Sequence, residues 1–181
     1  MLVSGGFIVG FDSDTPAVFQ QQIDFIQQSG IVWAMVGLLN APKNTRLYKR
    51  LQAENRITTE VTGSNTDYSM NFVPKMNYGE LLDGYYSIIQ NTYSAKPYYK
   101  RLHQCLLNLG GLNRKQIKID RYYIQAFFKS IFIIGIFNKG RAEYWKLFIW
   151  TLLNRPGLFP YAIMFTITGY HFRKVYGAFA N

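Results

Sequence analysis

The chain has 181 residues and a mass of 21.0 kDa, room for one domain or two small ones. Apolar residues make up 49% of it and aromatic residues 17%, which supports a packed core and excludes a disordered chain. A single cysteine excludes a disulfide framework, a thiolate zinc site and a self-contained iron–sulfur cluster, and 20 basic against 10 acidic residues give a net charge of +10.

In chain order, residues 6–11 (GFIVGF) form a short apolar run that reads as a buried strand. The polar cluster Asp12, Ser13, Asp14 and Thr15 supplies capping groups for a following helix, and Pro16 suits its first turn. Ser13 is the expected N-cap. Phe19, Ile23 and Ile26 recur at helical spacing, and Gly30 closes the helix. Residues 31–39 (IVWAMVGLL) read as a second strand, so the first 39 residues predict a βαβ unit with parallel strands and a right-handed crossover.

A polar turn at 40–45 and a short helix near 47–54 follow, then a stretch at 58–74 without periodicity, of the length that usually serves a purpose. From Tyr78 the pattern is helical, with Leu82, Tyr85, Ile89 and Tyr93 on one face and Glu80, Asp83, Ser87 and Gln90 on the other. Further helices are predicted at about 97–109, 119–138, 141–154 and 160–178, with glycine-containing breaks between them. Residues 131–137 are apolar on all sides, as in a helix that is central in a bundle or lies against lipid.

The charge is unevenly placed. Residues 1–95 carry a net −2 and residues 96–181 a net +12, which predicts different partners for the two parts. Tyrosine interleaves with Lys and Arg at 98–101 and 114–123, but no nucleic-acid-binding motif accompanies it, so a nucleic-acid partner is not expected. Lys129, Lys139, Arg141, Lys146, Arg155, Arg173 and Lys174 punctuate helices rich in Phe, Ile, Trp and Tyr, a composition suited to an anionic membrane surface. The start lacks a basic secretory n-region, and the longest uncharged stretch, 156–172, falls short of a bilayer span. The expected location is the cytoplasm, with peripheral contact to the inner membrane face. His103 and Cys105 lie two apart on a helix and so face different ways, which argues against a shared metal; with His171 they read as structural.

The text of the βαβ unit resembles the last two strands of a radical S-adenosylmethionine (SAM) enzyme. Residues 6–10 followed by 12–15 match that superfamily's G-x-I-x-G-x-x-E pattern through Gly6, Ile8 and Gly10, with Ser13 at the Glu position. Residues 42–48 (PKNTRLY) resemble its P-G-T-x-L-Y turn, with Lys43-Asn44 in place of one glycine. The ordered set GFDSDTP, SGIVWAMVGLL, RLYKRL and MNFVPKM is similar to the cobalamin-binding branch that includes hopanoid C-2 methylase.

The resemblance implies an α/β part, the last βαβ unit of a partial (β/α) barrel over residues 1–56, followed by a mainly α domain of unknown function over 57–181. It implies that Gly6, Ile8, Gly10 and Ser13 on the first strand, with Val36 and Leu38 on the second, lie beside SAM. It implies SAM, a 4Fe-4S cluster and cobalamin in a parent enzyme that methylates an unactivated carbon, with none of them held tightly by this chain alone. The cluster's C-x-x-x-C-x-x-C loop, the earlier strands and a cobalamin-binding domain do not occur in this sequence, so the expectation is a C-terminal fragment whose partners are those missing parts. The competing expectation is a non-catalytic basic helical module that binds an anionic membrane surface or a protein.

Overall fold

The computed structural model describes residues 3–59, 69–109 and 121–177. Two strands, β1 (Ser4–Val9) and β2 (Trp33–Leu38), flank helix α1 (Ala17–Ser29). They pair in parallel, with Ser4 opposite Trp33 and Val9 opposite Leu38, so the predicted βαβ unit forms. Phe19, Ile23 and Ile26 are the buried stripe of α1, and Gly30 ends it in the left-handed conformation at φ 70°.

The start of α1 departs from expectation. Pro16 occupies the cap position with no side-chain cap, and Ser13 is exposed. The acids of the polar cluster are engaged elsewhere. Asp14 Oδ2 accepts from the backbone N–H of Gly10 at 2.8 Å and of Phe11 at 3.0 Å, which braces the turn after β1. Asp12 is not a cap either: its carboxylate is paired with Arg50 and Arg56.

Helix α2 (Arg46–Ala53) starts where Thr45 Oγ1 accepts from the Tyr48 N–H at 3.1 Å. Residues 60–68 of the long predicted loop lie outside the described residues; on either side of them Ile57 and Phe72 form an antiparallel bridge. Helix α3 (Tyr78–Tyr93), capped by Asn77, packs on α1 and β2. Helix α4 (Ala95–Asn108) follows directly, then α5 (Arg121–Ser130), α6 (Arg141–Asn154) and α7 (Phe159–Gly177). One buried core runs from Val9 and Val36 through Tyr85, Tyr93 and Leu102 to Tyr144 and Phe165.

The helix predicted over 119–138 is α from Arg121 and changes to a π-helical turn at Ile131–Ile136; its first two predicted residues lie outside the described ones. The Phe137 N–H reaches back five residues to the Phe132 carbonyl. The Gly135 carbonyl instead accepts from Trp145 Nε1 at 2.9 Å, and a Cβ at Gly135 would stand 3.0 Å from the Tyr144 ring. The widened turn therefore lets α6 aromatics close in on the backbone.

Candidate functional site

Parallel sheets bind ligands at the carboxyl ends of their strands, where loops and helix starts gather. Here those ends are tightly cross-tied. Gly10 has φ 106°, open to glycine alone, and a Cβ there would lie 3.0 Å from Met70 Cε. The buried side chain of Asn71 donates to the Ala41 carbonyl at 2.9 Å and accepts from the Ala41 N–H at 2.8 Å, imitating a strand neighbour. Asn40 binds the backbone of Asn71 and Ser69 in turn, so residues 69–73 lie against both strand ends.

Beside them is a charge cluster. Asp12 takes Arg56 at 2.7 Å and Arg50 at 2.7 Å, and Arg56 also reaches Glu54 at 2.8 Å and the Val73 carbonyl at 2.8 Å. The Arg56 hydrogen bonds hold the Asp12 carboxyl below its ordinary range, despite some opposition from burial, with Arg50 and Lys75 adding to the effect. A carboxylate so held is a fastener and a poor proton shuttle.

The two faces of the sheet differ. Val9, Ala34 and Val36 are buried under the helices. Gly6 and Ile8 of β1 stand beside Met35 and Gly37 of β2 on the other face, where Ile8 is 46% and Met35 53% exposed. A Cβ added at Gly6 or Gly37 would meet nothing within 4 Å. Of the sequence-derived residues, then, Gly6 and Ile8 share the open face; the Val36 and Leu38 side chains alternate onto the covered one; Gly10 is enclosed by Met70 and Leu81; and Ser13 lies beyond the turn. Met35 and Gly37 complete the open face and were missed because a continuous apolar run gives no alternation to say which residues point where.

The edges differ as well. The Leu39 N–H donates to the Val9 carbonyl, so the odd-numbered residues of β2 bond toward β1 and the even-numbered ones face outward. Both outward carbonyls in the centre of β2 are occupied by tyrosines of α3: Tyr85 Oη donates to Val36 at 3.2 Å, and Tyr93 Oη donates to Ala34. By the same alternation β1 turns Ser4, Gly6 and Ile8 outward; Ser4 and Gly6 are exposed and Gln22 donates to the Ile8 carbonyl at 2.9 Å. The sheet thus has one closed edge and one open edge.

No cluster of three metal-binding side chains occurs among the described residues. Cys105 is half-buried on α4 and its thiol is pushed up by burial. His103 packs on Trp150 with ring centres 4.1 Å apart, and His171 is exposed beside Phe172. No described helix is long and apolar enough to cross a membrane.

Comparison with known proteins gives the following. The uncharacterized methyltransferase sll1242 of Synechocystis is 28% identical over 170 residues, covering 92% of this chain and 32% of that protein. Hopanoid C-2 methylase of Rhodopseudomonas palustris is 39% identical over 67 residues, covering 36% of this chain and 13% of the relative. The chain thus spans about a third of the length of the first relative and a smaller share of the second. No solved structure matches. A domain of unknown function, DUF4070, matches residues 45–180, from the cap of α2 through α7. With most of its length inside that match, the chain belongs to the DUF4070 family.

Proposed function

We propose that the chain is the C-terminal part of a radical SAM methyltransferase, cobalamin-dependent, that acts on an unactivated carbon of a lipid-like or other small-molecule substrate. In this reading the βαβ unit closes a partial barrel and the helices after it form a cap. The observation that carries the reading is the asymmetry of the sheet. Parallel sheets are ordinarily covered on both faces, and among the described residues this one leaves one face, and an edge touched only by Gln22, uncovered. The uncovered edge belongs to β1, so further strands would add ahead of it in the chain, while α3 tyrosines end the sheet beyond β2. The names of the two relatives, a methyltransferase and a methylase, agree with methyl transfer.

The residues fit one wall of a SAM site. Gly6 and Gly37 leave a cradle that side chains would fill, and Ile8 and Met35 offer apolar surface to a purine. Such a cofactor, when bound, supplies a carbon radical or a methyl group. What this chain adds is a shaped surface that positions the adenine and keeps water from it. A four-iron cluster does not fit: its one thiol lies half-buried on α4, and no step is assigned to it. The test is the DNA upstream of the Met1 codon, where an in-frame C-x-x-x-C-x-x-C loop is expected; an unrelated sequence there would overturn the reading.

A second reading concerns the helical part. Phe128, Phe132, Phe137 and Leu153 are between 55% and 79% exposed on α5, the π turn and α6, and Lys129, Lys139, Arg141 and Arg155 are exposed among them. Apolar rings flanked by lysine and arginine suit an anionic lipid surface. An apolar cavity of about 420 Å³ between α5 and α7, lined by Phe127, Phe159 and Ile163, lies next to this face. Sedimentation with anionic vesicles at low salt is expected to carry the chain into the pellet, and full recovery in the supernatant sinks this reading.

A further inference from the structure

Arg101 is 1% exposed, and its Nε, Nη1 and Nη2 have no hydrogen-bond partner. Its guanidinium lies 5.3 Å from the centre of the Tyr98 ring. A cation–π contact offsets only part of the cost of burying an ion, which amounts to several kcal/mol in real proteins. Burial accordingly lowers the pKa of Arg101, though arginine stays charged. No acid of its own half is at hand. Among the described residues after 95, the sole carboxylate is Glu143, and it is bonded to Lys146 at 2.8 Å.

Arg101 lines a groove of about 550 Å³ between α1 and α4. Lys96 and Lys100, one helical turn apart, line it too, together with the amides of Gln27, Asn91 and Gln104, and no carboxylate does. Gln27 Nε2 is committed to the Asn91 carbonyl at 2.7 Å, which fixes the wall opposite the lysines. Helix α4 begins at this end without a side-chain cap, and Pro97 in its first turn has no N–H, so the N–H groups of Ala95 and Lys96 have no partner in the helix and the positive end of its dipole adds to the field.

We infer that the groove between α1 and α4 is an anion site that takes a phosphate group, with Arg101, Lys96 and Lys100 as its cations. Two exposed lysines backed by a buried, unpaired guanidinium favour a doubly or more highly charged group, and Arg101 acts on it through its charge from behind the groove wall. The groove is larger than inorganic phosphate needs, so the ligand is a phosphorylated molecule, either a soluble ester or a lipid headgroup. This goes beyond the proposed function, whose sheet face lies elsewhere, and it stands if that reading falls.

The test is calorimetry on the 181-residue chain at low ionic strength, with pyrophosphate in one arm and short-chain dihexanoyl phosphatidate below its micellar concentration in the other. Saturable binding in either arm is expected, and the tighter arm tells a soluble ester from a headgroup. The Lys96→Gln/Lys100→Gln variant, altered at exposed positions, is expected to bind at least about tenfold more weakly with an unchanged thermal midpoint in the absence of anion. Arg101→Met is expected to raise the midpoint of the free chain and abolish its stabilisation by pyrophosphate. No saturation in either arm up to about 5 mM, or equal affinity in the lysine variant, would overturn the inference.

Discussion

Arg56 holds Asp12 with both terminal nitrogens, Nη2 to Oδ1 at 2.7 Å and Nη1 to Oδ2 at 3.1 Å, across 44 residues of chain. The pair joins the turn after β1 to the end of α2, and both side chains are mostly shielded, at 16% and 14% exposure. Asp12→Asn is expected to cost about 2 kcal/mol in urea unfolding at pH 7, the range for a charge-assisted hydrogen bond that leaves its partner unpaired. Because the folded pKa of Asp12 lies below its ordinary value, the unfolded chain binds the proton first as pH falls. The stabilisation is thus full above the ordinary carboxylate range and is lost as pH drops through the folded value. Unfolding measured at successive pH values below 5 is expected to show a shallower loss in the variant than in the parent chain.

Two glycines are expected to resist alanine for different reasons. Gly10→Ala forces a side chain into φ 106° and is expected to cost about 1–3 kcal/mol through backbone strain. Gly169 lies inside α7, where alanine ordinarily gains about 1 kcal/mol. Here the new Cβ would fall 2.2 Å from the Tyr98 ring, and that ring is fixed by its bond to the Phe165 carbonyl at 2.6 Å. A net loss of about 1–3 kcal/mol is expected for Gly169→Ala, and a gain in urea midpoint would refute the packing described.

Removing the hydroxyls that seal β2 leaves buried carbonyls unpaired. Tyr85→Phe and Tyr93→Phe are each expected to cost about 1–2 kcal/mol in chemical denaturation, and no change would mean the hydroxyls are bystanders. Burial also pushes up the phenols of Tyr93, Tyr98 and Tyr99, the last to about 12. Their folded values lie above the unfolded one near 10, so the unfolded chain releases protons first and stability is full below that pH and falls above it. The share of phenolate absorbance at 295 nm that belongs to these three buried tyrosines is expected to appear together with loss of helix, in one cooperative step.

Much of this architecture was legible in advance. The two apolar runs, the Phe19, Ile23 and Ile26 stripe and the Gly30 stop needed only local spacing, although β1 runs Ser4–Val9 where 6–11 is expected, since Gly10 and Phe11 belong to the turn that Asp14 braces. The π turn was not legible, because it depends on Trp145 reaching Gly135 from the next helix. Nor was the fate of Asp12: a carboxylate before a helix looks like a cap until a guanidinium 44 residues away claims it. For the proposed cofactor wall, the motif points to Gly6 and Ile8, while placing Met35 and Gly37 beside them needs the pairing register. Arg101 carries no sequence mark at all, since its isolation is a property of three helices packed together.

The open sheet face offers a direct probe of the proposed cofactor wall. Gly37→Val adds atoms to empty space and is expected to leave the stability of the isolated chain within about 0.5 kcal/mol of the parent. In the proposed full-length parent enzyme the same change is expected to weaken SAM binding at least about tenfold by filling the cradle. If the chain supplies one wall only, as proposed, it shows no SAM binding by calorimetry, and micromolar affinity would overturn that proposal.

The tyrosines along β2 also decide how copies of this chain can meet. A strand whose central outward carbonyls are already taken cannot readily recruit a neighbour, so within the described two-stranded sheet backbone pairing between molecules is left to β1. Two copies that join β1 to β1 consume the strand edge left among the described residues, which Gln22 already partly occupies at Ile8. Strand-by-strand growth through this sheet, among the described residues, therefore stops at a pair.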